Sequence, residues 1–242
     1  MPEDFLQPLC ELGQQQLMQT SYLQAAATLA RAEQQAWDAR DFDTMSRLYL
    51  PLQEARRQIR QRCGEGAVCL HWFPKDSGQN SRMMPLPPQG QLLVGGWGSV
   101  QPAIAVRQTA ADKSLYVESF LAAIYPIVDS PPVVVIVPWP ESQLPVAEAR
   151  SLHELRSLLP SGCQVLNQGE LPPDADTGNA DTFASVMDLW EKLHRPLLDA
   201  AAQISDSIQQ MQAYRDILRA DPACELAHQF LADIARRLAR SG

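Results

Sequence analysis

Nowhere in these 242 residues does an apolar run approach the roughly 18 to 20 residues that cross a bilayer, so no membrane-spanning helix is expected. Also missing is the basic-then-apolar layout of a signal peptide. The chain opens acidic, Met1-Pro2-Glu3-Asp4-Phe5, and the cytoplasm is the expected location. Paired cysteines are lacking too. Cys10, Cys63, Cys69, Cys163 and Cys224 stand singly and in odd number, which argues against a disulfide scaffold and for reduced thiols. The net charge is −8, and the acidic excess is spread over the N-terminal, middle and C-terminal thirds rather than held in a tail. Neither nucleic acid nor an anionic membrane is therefore expected as a partner. Finally, no Ser-His-Asp or Cys-His arrangement can be assembled, so no catalytic residue and no cofactor is assigned.

What is present is a soluble composition, 45% hydrophobic and 20% charged, in a chain long enough for one large or two ordinary domains. Its most informative stretch is Val133-Val-Val-Ile-Val-Pro138, set between Pro131-Pro132 and Pro138-Trp139-Pro140. A β-branched run without polar alternation has no wet face, so it reads as a strand covered on both sides, with prolines fixing its ends. Ala67 to Phe73, Gln91 to Val94, Ala103 to Val106 and Cys163 to Leu166 read as further extended runs. Residues 113–125 and 146–159 carry apolar positions at helical spacing. Alternation of strand and helix after residue 103 predicts an α/β domain over 66–170, with a parallel or mixed sheet of about four or five strands.

Helical texture flanks this segment. Residues 1–65 read as a hairpin preceded by a short helix from 3 to about 18, one helix ending near Arg40 and the next capped by Asp43, with Pro51 expected to kink it or cut it in two. Residues 171–180 are polar and Pro-rich, a linker, and 181–242 form a C-terminal helical region. Within it a break is expected at His194-Arg195-Pro196, then one long helix from Pro196 to Arg219 with Arg215 on its apolar seam. That helix is expected to cover the second face of the sheet through Ile204, Ile208 and Met211.

Tyr214-Arg-Asp-Ile-Leu-Arg-Ala-Asp-Pro222, followed by Ala227-His-Gln-Phe-Leu-Ala-Asp-Ile-Ala235, resembles the junction between two tetratricopeptide repeats. An aromatic precedes a helix-closing proline, and a Leu-Ala pair, Leu231-Ala232, follows. The N-terminal hairpin is a looser match, with Ala36, Phe42 and Tyr49. The match covers about a quarter of the chain, departs at Gln210 and Met45, and shows no full 34-residue period, so a solenoid is excluded as the whole architecture. The resemblance implies helical faces that bind a protein partner or a second copy, with Tyr214, His228 and Leu231 as candidate contact residues.

Two stretches carry possible chemistry. Gly95-Gly96-Trp97-Gly98-Ser99 follows a strand, where backbone N–H groups can approach a phosphate, but Ala103 to Val106 looks extended and a hairpin or bulge is the plainer reading. Trp139, Glu141 and Ser142 emerge from the end of the central strand, where open α/β sheets place ligands. Together Gly95, Gly96, Gly98, Ser99, Trp139, Glu141 and Ser142 are the candidate site for a nucleotide or phosphorylated ligand. Cys63, Cys69 and His71 lack the spacing of a zinc knuckle, and no metal site is assigned. The expected function is that of a non-enzymatic scaffold or adaptor; the alternative is a ligand-binding or catalytic α/β domain.

Overall fold

Val133 to Val137 are buried on both sides of a sheet, as a run without polar alternation requires. Val133, Val135 and Val137 enter one apolar cluster, and Val134 and Ile136 enter another on the opposite face. A computed structural model describes residues 6–72, 85–145, 149–167, 170–171 and 174–241, the side chains of 70–72 excepted. Phe5, Phe73, Asp76, Ser77, Gly78 and Val146 lie outside the described residues. Among the described residues there are eight helices and one five-stranded mixed sheet, an α/β fold flanked by N- and C-terminal helices. No helix among them is long and apolar enough to cross a membrane.

The chain divides into two compact units, 62–196 and the joined segments 1–61 and 197–242. In the first, the strands are β1 (Ala67–Trp72), β2 (Gln89–Trp97), β3 (Tyr116–Ile127), β4 (Ser130–Val137) and β5 (Gln164–Leu166), lying in sequence order across the sheet. β1, β2 and β3 are parallel, whereas β4 and β5 are each antiparallel to the preceding strand. The reversal between β3 and β4 is the two-residue turn Val128-Asp129, with Asp129 in the left-handed region at φ 58°.

Two expectations are reversed here. Residues 113–125, read as a helix, form most of β3, and Ala103 to Val106, read as extended, lie in helix α4 (Gln101–Asp112). Helix α5 (Leu152–Leu158) is shorter than expected; Ser151 Oγ accepts from the Glu154 N–H while the Glu154 carboxylate accepts from the Arg150 N–H. The pair is a variant of the capping box, the carboxylate reaching the N–H of the residue before the N-cap, and it accounts for Glu154. Val100, Ala103 and Val106 of the α4 segment and Leu155 of α5 cover one face of the sheet. The other face is covered by α6 (Ala180–Ala202), through Val186, Leu189, Trp190 and Leu193, and not by Ile204, Ile208 and Met211. Trp190 stacks on Phe120 with ring centroids 4.0 Å apart, and its Nε1–H donates to Gln91.

α6 runs through His194-Arg195-Pro196 without the expected break. The break comes later, at 203–206, where the Asp206 carboxylate accepts from the Gln209 N–H and opens α7 (Ser207–Ala220). The second unit holds α1 (Leu6–Met18), α2 (Tyr22–Ala39), most of α3 (Phe42–Gly64), α7 and α8 (Glu225–Ser241). α3 is capped by Asp41, which accepts from the Thr44 N–H at 2.9 Å, rather than by Asp43; Asp43 sits in the first turn and pairs with Arg47. One continuous core joins Leu29, Tyr49 and Leu52 of the N-terminal helices with Met211, Tyr214 and Leu231 of the C-terminal pair. Alanines at 25, 32, 36, 227 and 235 are fully buried, and such small residues let helices approach closely.

Candidate functional site in the helical unit

Apolar helix stripes at three- and four-residue spacing account for most of this core, but charged groups interrupt them. On α2, Glu33 stands one turn from Trp37; on α3, Tyr49, Arg56 and Arg60 share a face; on α7, Arg215 sits beside Tyr214. Packing brings these together. The Tyr49 hydroxyl donates to Glu33 at 2.8 Å, and Arg215 grips the same carboxylate through Nε at 2.8 Å and Nη2 at 3.3 Å. Arg215 also donates to Gln34 and lies 4.3 Å over the Trp37 ring. The Glu33–Arg215 pair is thus forked, stacked and largely withdrawn from water, the geometry in which an ion pair is strong. Burial, and then the Glu33 charge, push the Tyr49 phenol well above its ordinary range.

A second buried pair lies along the same helices. Arg60 donates to Asp221 at 2.7 Å, with the two side chains 4% and 0% exposed. Asp221 Oδ1 also accepts from the Ala223 N–H, so one carboxylate holds both the α3 guanidinium and the turn into α8. Between the two pairs stands Arg56. Among the described residues its Nη1 reaches only the Pro222 carbonyl and His228 Nε2, each at 3.4 Å, and no carboxylate of theirs forms an ion pair with it. Burial lowers its pKa to about 10, against the opposing pull of Glu33, Tyr49 and Asp221, so it stays charged at neutral pH. His228 is fully buried; desolvation, and next the Arg56 charge, depress its pKa to about 3 and keep it neutral. With Nε2 toward the Pro222 carbonyl at 3.1 Å, Nδ1 has no hydrogen-bond partner.

Arg56 opens onto a cleft of about 350 Å³ between α2, α3 and α7. Its walls include Glu33, Arg215, Asp216 and Arg219, with Ala30, Leu52 and Leu218 supplying apolar surface. An oriented guanidinium with neighbouring apolar surface can bind an anionic group and the carbon chain that carries it.

The residues singled out in the sequence fall elsewhere. Tyr214, His228 and Leu231 are core residues, 2%, 0% and 0% exposed, so they form no docking face. Tyr214 is covered by a stack on Phe230, His228 by Tyr49 edge-on. The glycine loop does enter a helix, but its amides are used internally. Gly96 and Ser99 exchange backbone hydrogen bonds, Gly98 donates to the Ile124 carbonyl, and Ser99 Oγ takes the Gln101 N–H. Gly98 is needed for its φ of 59°, and a Cβ on Gly96 would come within 3.0 Å of Pro102. These glycines are explained by a tight strand-to-helix turn. Trp139, Glu141 and Ser142 follow the carboxyl end of β4, which lies level with Leu121 and points toward the amino ends of β2 and β3. Gly95 pairs with Ala122 and Val137 with Leu121, so the two stretches leave the strands on either side of β3 at adjacent levels, and a Cβ on Gly98 would lie 3.9 Å from the Pro145 carbonyl oxygen. Beyond the carboxyl end of β3 lies a different pocket, of about 520 Å³, whose lining includes Ile127, Val128, Pro132, Arg150 and Asn167. Cys63 is fully buried and Cys69 packs against the α4 side of the sheet, while the His71 side chain lies outside the described residues.

The signal for the helical site was a pair of misfits. Glu33 stands on the apolar stripe of α2 and Arg215 on that of α7, opposite charges on faces that must both be buried. Comparison with family models, curated proteins and solved structures found no match for the chain.

Proposed function

We propose that the chain is a non-enzymatic interaction protein, a scaffold or adaptor, whose helical unit docks a protein partner or a second copy. The observation that carries this reading is the cleft between α2, α3 and α7, with a charged Arg56 at its wall and no carboxylate paired to it among the described residues. A guanidinium held in place by its own protein is pre-organised for a partner, which lowers the ordering cost of binding. The tetratricopeptide resemblance of residues 214–235 implies helical faces that bind a protein partner or a second copy, which supports the same reading. The test is affinity capture with the full chain, alongside its molar mass in solution by light scattering. A stoichiometric protein partner or a stable homo-oligomer is the expected result. A monomer that captures nothing reproducibly overturns the proposal.

A second reading rests on the 520 Å³ pocket of the α/β unit, which lies at the strand end where open sheets accept ligands. A thermal-shift panel of nucleotides and sugar phosphates tests it. A ligand at about a hundred times its Kd should add roughly 2.7 kcal/mol of stability.

A further inference from the structure

We infer that the cleft between α2, α3 and α7 takes an acidic peptide segment, one carboxylate of which pairs with Arg56. This rests on the interaction reading above and names the chemistry of the partner. Three guanidinium groups line the cleft, but two have local carboxylates: Arg215 is forked to Glu33, and Arg219 lies 3.6 Å from Asp216. Arg56 has none among its contacts, only a carbonyl oxygen and a ring nitrogen at 3.4 Å. Formal charge in the lining therefore leaves one positive charge in excess, in a chain whose net charge is −8. A carboxylate balances that excess. A phosphate dianion would not, and it would meet the Glu33 and Asp216 carboxylates at close range. Ala30, Leu52 and Leu218 give apolar surface for the methylenes of a glutamate or for an apolar neighbour in the segment.

The site is held in place by packing rather than by a mobile loop. Arg56 lies on the face of α3 that also carries Leu52 and Arg60, and Arg60 is tied to Asp221 at the α7–α8 turn. Beneath it His228 is a neutral, fully buried ring, so it neither competes for the anion nor repels Arg56. A side chain held at the cleft wall by such packing is in place before anything binds.

The experiment uses the full chain and three short capped fluorescent peptides: a Leu-Glu-Ala repeat, its Leu-Gln-Ala counterpart, and a version with phosphoserine replacing glutamate. Fluorescence anisotropy is expected to show saturable binding of the glutamate peptide, weakened by added salt, with the glutamine peptide at least about tenfold weaker. Arg56→Gln should weaken the glutamate peptide by about tenfold or more, and the exposed neighbour Arg57→Gln should leave it unchanged. Arg56→Lys keeps the charge without the fork, and intermediate affinity is expected. Should Arg56→Gln fail to fold, a wild-type Tm rise with the glutamate peptide alone carries the test. Equal binding of the glutamine peptide, tighter binding of the phosphoserine peptide, or an Arg56→Gln variant that binds like wild type overturns the assignment. Capture of the same protein partner by wild type and Arg56→Gln would overturn it while leaving the wider interaction reading standing.

Discussion

The two units keep their interiors dry in different ways. Behind the sheet, the buried polar residues among those described are Gln91, Ser119 and Thr182, none of them charged. In the helical unit, Glu33, Arg60, Asp221 and His228 are all buried. A sheet satisfies its backbone in the ladder and turns apolar side chains to both faces, so charge has little to do there. Helices satisfy their backbones alone and meet only along side-chain seams, where a forked ion pair can fix which helices meet and in what register. Apolar packing stabilises in proportion to area, whereas a buried ion pair stabilises little against an apolar replacement and costs much when half of it is removed.

That contrast can be broken or sharpened by experiment. Asp221→Ala should destabilise the helical unit by about 3–5 kcal/mol, because it removes the counter-charge of buried Arg60 and the acceptor for the Ala223 N–H. The double change Arg60→Met with Asp221→Leu should recover most of the loss in urea unfolding. Recovery of nothing would mean that the pair contributes net stability and the contrast is drawn wrongly. Trp190→Ala should cost a comparable ~3–5 kcal/mol in the α/β unit, through the lost stack on Phe120 and the cavity left behind. Hydrogen exchange read separately for the two units distinguishes these losses.

Acid should act on the helical unit first. His228 has its pKa depressed to about 3 when folded, against an ordinary 6.5, so the unfolded chain takes up a proton that the folded chain refuses. The stability present above pH 6.5 is therefore lost progressively as pH falls toward 3, by about 2 kcal/mol at about pH 5. A His228→Asn variant should show a flatter pH dependence over that window, and an unchanged slope would show that the ring is not the group responsible. Smaller effects are expected at the remaining sites. Gly98→Ala forces a side chain into a left-handed turn and should cost about 1 kcal/mol in thermal unfolding. Arg47→Ala removes a solvent-exposed pair with Asp43 and should change stability by less than about 0.5 kcal/mol.

Some of this was readable before any coordinates. The valine run allowed only one interpretation, since a strand with no polar face must be covered twice. The sequence of β3 suggests a helix because Leu115, Phe120, Leu121 and Ile124 fit a period of 3.6 nearly as well as a buried strand does, and a short apolar run does not separate the two. In α4, Ile104 and Val106 suggest an extended run, whereas Pro102 in its first turn and its alanines favour the helix that forms. The break before α7 was marked by Asp206 and Gln209 at capping spacing, a signal outweighed by the apolar stripe on either side.

By itself the sequence determined the class of the fold, the double-covered central strand, most of the helices and the turn at Asp221-Pro222. These follow from local periodicity and from residues whose conformational limits are intrinsic, proline and the β-branched side chains above all. Only the tertiary structure decided which helix covers the second face of the sheet, because α6 and the Ile204–Met211 stretch carry similar stripes and the choice depends on packing between distant segments. It alone decided that Tyr214, His228 and Leu231 lie inside, and that Glu33 meets Arg215, 182 positions further along the chain. Periodicity shows that a face is to be buried, and only long-range packing selects the face that buries it.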